Sequence, residues 1–424
     1  MVRIIVATCL LLSVSVGCLA QPEPALPDSP AYKGDIRRSP DGKLIVVEEG
    51  QTTVGAEAAR PTTLVVGPKE KIRTITEAAK AARDGDVIEI LGGEYRGQPA
   101  VWTQDNLVIR GKGERPVLIA DGGSAEGKGL WVIRGGNVRV ENIEFRGVRV
   151  RDGNGAGIRF EKGHLSIRRC AFVDNEMGIL TGNSPELSLE ISDSEFAYAP
   201  RHQGDLHHLL YVGQIGKFSL TGSRFTNGYR GHLVKSRARE NHIYYNLLAD
   251  GTEGRASYEL EFPNGGIAFV IGNVIAQSTD TDNPTLVSYG AEGTHWPDNA
   301  LYFAHNTLVN DRYDGNFLKS WTEKLPGNTE IWIINNLTVG NGDLFPPPQG
   351  RFEGNLSAQR GDLIAYAGLP LRLKTDSPLR GRVRIPGKAR GVELMPSAEF
   401  NFPVGQRLIS PSSSLAPGAF QQSY

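Results

Sequence analysis

Cysteine is scarce, a surplus of either charge is absent, and long apolar runs are confined to the first twenty residues; each shortage closes a route. Only three cysteines occur in 424 residues, and Cys9 and Cys18 lie inside the apolar leader, which leaves Cys170 alone in the body of the chain. That excludes an intrachain disulfide framework and a cysteine-rich metal site, and Cys170 reads as a small apolar core residue. The 46 basic and 47 acidic residues nearly cancel, for a formal net charge of −1. No global field would draw such a protein to nucleic acid or to an acidic membrane, so any charge selectivity must be local. Arg3, the apolar run Ile4 to Val16 and Cys18-Leu19-Ala20 read as a secretory signal over residues 1–20. The run is short for a membrane span and no later stretch qualifies as one. Ser15-Val16-Gly17-Cys18 also reads as a lipoprotein cleavage box with Cys18 lipidated, a poorer fit because of Ser15. The mature chain is expected to be secreted or periplasmic.

What is present is glycine, 51 residues of it, among short Val/Ile/Leu/Phe runs that alternate with Gly/Asn/Asp turns. That is an all-β pattern. At this length one compact core is hard to organise, yet no linker divides the middle of the chain; a solenoid resolves the conflict because its core grows with length. Residues 21–60, rich in Pro, Ala and charge, read as a flexible lead-in. A strand at Thr62-Thr63-Leu64-Val65-Val66 is followed by Ile72 to Ala82, whose Ile72, Ile75, Ala78, Ala79 and Ala82 share one helical face, and then by Asp86-Val87-Ile88-Glu89-Ile90 and Gly92-Gly93-Glu94-Tyr95. This strand, helix and "GDVIEILGGEY" order resembles the amino-terminal cap of pectate-lyase-like β-helices, in which a helix closes the open apolar end of a rod.

An internal repeat carries the fold assignment. Apolar anchors follow turn-forming pairs at Phe145, Phe172, Phe196, Phe225, Leu248, Ile275, Leu308 and Leu337, with successive steps of 27, 24, 29, 23, 27, 33 and 29 residues. Such steps fit one circuit of a three-faced coil. Two residues before the last four anchors stand Asn246, Asn273, Asn306 and Asn335, which reads as a ladder at a tight corner, where asparagine tolerates a left-handed bend and stacked amides bond from coil to coil. The expectation is a right-handed parallel β-helix over residues 61–360 with an amino-terminal capping helix. Residues 361–424 read as an irregular tail that packs back along the rod.

Equivalent positions of consecutive coils lie about 4.8 Å apart, so counting back from each anchor shows which residues stack. Tyr211 is fourteen before Phe225, Lys235 thirteen before Leu248 and Glu261 fourteen before Ile275, while Tyr289 and Glu292 precede Leu308 in a lengthened coil. These residues should share one face. Six of the eight histidines, His202, His207, His208, His232, His242 and His295, fall in the same segment. Alternation with Tyr258, Leu260 and Phe262 turns Glu259 and Glu261 outward. His207 and His208 face opposite sides, so one of them at most lines the site.

Elimination on a uronate polymer matches this set. It needs the sugar carboxylate neutralised, a base for the C5 proton and an acid for the leaving oxygen. Lys235 suits the base, Arg237 a bidentate carboxylate contact and Tyr211 the acid, with His207, His232, Arg255, Glu259, Glu261, Asn264, Tyr289 and Glu292 as substrate contacts. The stretch Gly231-His232-Leu233-Val234-Lys235-Ser236, then Asn241, Asn246 and Gly272-Asn273, resembles the "KS…N…N…GN" stretch of the chondroitinase B and alginate lyase family over roughly fifty residues. That resemblance implies Lys235 as proton acceptor. The family's partner arginine lies in an Arg-His-Gly stretch where this chain has Phe262-Pro263-Asn264-Gly265-Gly266, so Arg255 or Arg237 would have to take its place.

Three other readings stay open. A glycoside hydrolase would use two carboxylates from Asp205, Glu259, Glu261 and Glu292, a C5-epimerase would remove the same proton, and a carbohydrate-binding or adhesin rod would catalyse nothing. Glu259, Glu261 and Glu292 could supply oxygen ligands to calcium, but no calcium-loop spacing occurs and no metal is assigned. The expected partner is an acidic polysaccharide, not nucleic acid, and the chain is expected to be a monomer.

Overall fold

The computed structural model describes residues 35–38, 44–47, 61–201, 206–366, 369–410 and 415–421. The leader, residues 1–20, lies outside them. Two units are distinct, residues 1–59 and 60–424. In the first, Asp35–Arg38 pairs antiparallel with Leu44–Val47.

The second unit is a parallel β-helix. Each circuit of chain lays one strand in each of three sheets, which hold 12, 11 and 10 strands; the strands pair in parallel with the circuits before and after. One circuit runs from Asn137–Glu141 in the first sheet to Glu144–Arg146 in the second and Ala156–Phe160 in the third. Alternation along every strand sends Val138 and Val140, Phe145, and Ile158 and Phe160 into the interior. Phe145, Phe172, Phe196 and Phe225 are paired in register in the second sheet, with ring centroids 5.1, 4.7 and 4.5 Å apart. Each buried ring contributes roughly 1.5–3 kcal/mol of transfer free energy. The register continues through Leu248, Ile275 and Leu308.

At the first corner the structure corrects one assignment. Leu308 pairs with Thr338, so the last anchor is one residue later than the repeat predicts. The ladder accordingly runs through buried Asn246, Asn273, Asn306 and Asn336 to half-buried Asn355, each carboxamide oxygen accepting from the backbone N–H of the preceding rung. Asn335 stands outside it and bonds His305 and the Arg384 carbonyl. The left-handed bend belongs to the residue before each rung: Tyr245, Gly272, His305 and Asn335 have φ of 55°, 67°, 53° and 57°. Asparagine is chosen at the rungs for its amide. Ser194 and Ser223 extend the ladder upstream to the Cys170 N–H, and Cys170 is buried and free.

The capping helix spans Ile75–Ala81. Its amino terminus is closed by a capping box between Thr74 and Glu77, and Ile75, Ala78 and Ala79 are buried. At the other end, Leu371, Phe400, Ala416 and Phe420 of the tail pack against Leu247, Val274 and Val309 on the outside of the second sheet.

Candidate active site

The third sheet carries the site. Strands Leu210–Val212, Val234–Ser236 and Leu260–Phe262 pair so that Tyr211, Lys235 and Glu261 are in register, and the same column continues to Ser288 and Lys319. Leu210, Val212, Val234, Leu260 and Phe262 point into the core, which leaves the column residues on the outer face. Ser236 and Asn241 brace the turn after Lys235: the Ser236 hydroxyl donates to the Asn241 carboxamide oxygen at 2.5 Å, and Asn241 donates to the Ala238 carbonyl at 3.0 Å.

Around the column the side chains form one charge network. The Lys235 ammonium, on a side chain 12% exposed, lies 3.3 Å from Glu261 and 3.6 Å from Glu292. Arg237 holds Glu292 through two nitrogens, Nη1 at 2.6 Å and Nη2 at 3.0 Å; it also donates from Nε to the Tyr211 hydroxyl at 3.0 Å and from Nη1 to the Asn264 carboxamide. Both cations lie beside the Tyr211 ring, with the Lys235 ammonium 5.8 Å and the Arg237 guanidinium 5.9 Å from its centroid.

Behind the column, His232 accepts from the Tyr258 N–H at its Nδ1, so its Nε2 carries the hydrogen, and that nitrogen lies 2.9 Å from a Glu261 oxygen. Burial holds His232 below the usual imidazole range despite that carboxylate. Burial by itself would raise Glu261, but the His232 hydrogen bond and the Lys235 charge outweigh it and keep the carboxyl below its ordinary value. His208 accepts the His232 backbone N–H at Nδ1, 2.8 Å away, and its ring lies 5.3 Å from that of Tyr211; burial first, then the nearby cations, hold it well down.

Four predicted contacts lie elsewhere. Tyr289 pairs with Phe262, not with Glu261; it is fully buried and its hydroxyl donates to the Gly266 carbonyl at 2.6 Å. The insertion in that coil puts Ser288 in the column. Glu259 is also fully buried, because it precedes the strand that begins at Leu260 and does not follow its alternation. Burial, and then the Asp250 charge, push its carboxyl well up. His207 is buried with Nδ1 3.2 Å from the Pro200 carbonyl, so His208 takes the place foreseen for it. Arg255 pairs with Asp282 at 3.0 Å and makes no contact with Lys235 or Glu261. Asp205 and His202 lie outside the described residues.

Sequence reasoning missed Trp321, whose indole N–H donates to the Ser288 hydroxyl at 3.2 Å, and Trp296, which donates to the Arg237 carbonyl at 2.9 Å. A Trp among lysines, one coil beyond the last one counted back for the site, was the only signal for the first. Among the described residues no three acidic, histidine or cysteine side chains are grouped to hold a metal ion. A recess of about 680 Å³ lined by Arg110, Arg115 and Arg169 lies at the corner between the first and second sheets. No helix among the described residues is long and apolar enough to cross a membrane.

No protein-family profile matches the chain, and no curated protein matches it in sequence. Among solved structures it is similar to the pectate lyase Pel9A, with a TM-score of 0.57 over 85% of this chain and 96% of that one, at 11% identity. The fold is a pectate-lyase-like parallel β-helix. The PL6 family polysaccharide lyase Pedsa3628 from Pseudopedobacter saltans also matches, with a TM-score of 0.37 over 77% of this chain and 100% of that one, at 12% identity.

Proposed function

We propose that the protein is a secreted or periplasmic lyase that cleaves a uronic-acid-containing polysaccharide by β-elimination. The observation that carries this reading is the seat of Glu292. A carboxylate is held by two Arg237 nitrogens beside the Lys235 ammonium, and the same guanidinium donates from Nε to the Tyr211 hydroxyl. A substrate carboxylate that takes this seat has its charge neutralised, which acidifies C5–H. Lys235 is the group placed to accept that proton. The C4–O bond breaks as the C4=C5 double bond forms, and Tyr211 returns a proton to the leaving oxygen. Glu261, fixed by His232, holds the Lys235 side chain in place.

Among the described residues, the two outward carboxylates argue against hydrolysis. That reaction needs a protonated acid at the site, whereas Glu261 and Glu292 both lie below the usual carboxylate range, Glu292 through its Arg237 hydrogen bonds. The carboxyl that burial raises, Glu259, has no exposed surface. The likeness to a pectate lyase supports the choice of substrate class.

The test is to incubate the mature protein with pectate, alginate, glucuronan and glycosaminoglycans and to follow ultraviolet absorbance for an unsaturated uronate. Lys235→Ala should abolish the signal with an unchanged circular dichroism spectrum. Reducing ends released without absorbance would overturn the proposal.

A further inference from the structure

We infer that Trp321, Lys319 and Lys324 form a separate subsite for an acidic sugar residue, several coils along the rod from Lys235; this rests on the lyase reading for the identity of the polymer. Lys319 belongs to the column Tyr211, Lys235, Glu261, Ser288, and stands two coils beyond Glu261. Each coil advances by about 4.8 Å, comparable to one pyranose residue of an extended chain. A polymer lying along the column therefore presents successive sugars to successive coils. Trp321 is pinned there from two sides, its backbone N–H to the Tyr289 carbonyl at 3.0 Å and its indole N–H to Ser288 at 3.2 Å.

What surrounds the indole is charge. The Lys319 ammonium lies 3.7 Å and the Lys324 ammonium 4.4 Å from the ring centroid, which keeps the two within about 8 Å of each other, inside one Debye length at physiological salt. Among the described residues neither has a carboxylate partner; Lys324 donates only to the Ala291 carbonyl, at 2.7 Å. Ring faces attract cations, but two like charges over one ring, in a protein whose charges otherwise balance, are best satisfied by an added anion. A uronate residue supplies both complements: apolar C–H groups for the indole and a carboxylate for the ammoniums. The Ala291 carbonyl that Lys324 holds precedes Glu292 in the chain, so the subsite and the Arg237 seat are linked by one loop.

The test uses the Lys235→Ala protein, titrated calorimetrically with acidic oligosaccharides of defined length, from dimer to octamer, and with neutral oligomers of equal length. Affinity should rise with length until an oligomer spans Arg237 to Trp321. Trp321→Ala should lower affinity for the octamer about tenfold, with the loss growing with chain length. Lys319→Gln with Lys324→Gln should remove most of the preference for acidic over neutral octamers, and Trp321→Phe should restore part of the loss. Affinity independent of length, or octamer affinity unaltered by Trp321→Ala and by the double lysine change, overturns the subsite. Failure of the wild-type protein to generate absorbance would sink the lyase reading alone, since the binding series does not depend on turnover.

Discussion

If Glu292 occupies the seat of the substrate carboxylate, removing its charge should strengthen substrate binding. Glu292→Gln keeps the side chain's size and spares the backbone N–H that donates to the Pro263 carbonyl at 2.8 Å, so the loop is expected to hold its shape. The lost interaction is a bidentate pair with Arg237 plus the longer contact with Lys235. With the Glu292 side chain 47% exposed, solvent screening limits its worth to about 1 kcal/mol. That is a change of about fivefold in affinity. KM for the acidic polymer should fall about fivefold and kcat should hold, because the mutation removes a competitor of the ground state and no group from the reaction. Arg237 keeps the Glu292 carboxyl below its ordinary value. Its pairing is therefore present above the usual carboxylate range and is lost only as pH falls through that depressed value, so the difference between the two proteins should persist through the neutral range. Initial rates of absorbance against substrate concentration measure it. A raised KM, or a kcat that collapses, would mean that Glu292 acts on the substrate itself.

Asn273→Ala removes the oxygen that accepts from both Asn246 donors and the amide that serves the Ile243 carbonyl and Asn306; it should cost about 2–4 kcal/mol in urea unfolding, and a midpoint that does not move would deny the ladder a stabilising role. Tyr289→Phe, which loses one buried hydrogen bond to Gly266, should lower stability by about 1 kcal/mol and leave kcat and KM as they are; a drop in turnover would return Tyr289 to the site. Burial pushes Asp250 up to about 7 and, with the Asp250 charge, raises Glu259 well above its ordinary value. Both values exceed those of the unfolded chain, so their contribution is complete below about pH 4 and is lost as pH rises through the folded values. Glu259→Gln should flatten the fall in denaturation midpoint as pH rises above the ordinary carboxylate range, and an identical pH profile in the two proteins would contradict the assignment.

The fold was legible because two periodicities coincide. Alternation marks each strand, and a recurrence of about 27 residues marks each circuit; a sandwich would not keep one phenylalanine position through four successive repeats. Reading failed where the count has no unique solution. Asn335 and Asn336 are adjacent, and only the pairing of Leu308 with Thr338 decides which one enters the ladder. The 33-residue step to Leu308 hides an insertion, so the column passes through Ser288 while Tyr289 turns inward. Glu259 was misread because alternation holds only inside a strand, and the strand starts one residue later.

The site divides along the same line. Tyr211, Lys235 and Glu261 come from paired strands, and counting could find them because a strand's neighbours are fixed by its register. Arg237, Asn264, Glu292, His208 and Trp321 come from the turns beside those strands, where spacing carries no register. A rigid column with variable turns is a common way to separate chemistry from recognition. On this rod the amine and phenol proposed for proton transfer sit on the fixed part, and the groups proposed to grip the polymer, Lys319 apart, sit on the loops. Exchanging the segment 290–297, which carries Glu292 and Trp296, should therefore alter which acidic polymer is bound before it alters whether Lys235 can accept a proton. A loop exchange that abolished turnover on every polymer, with the column strands still folded, would show that recognition and chemistry are not divided in this way.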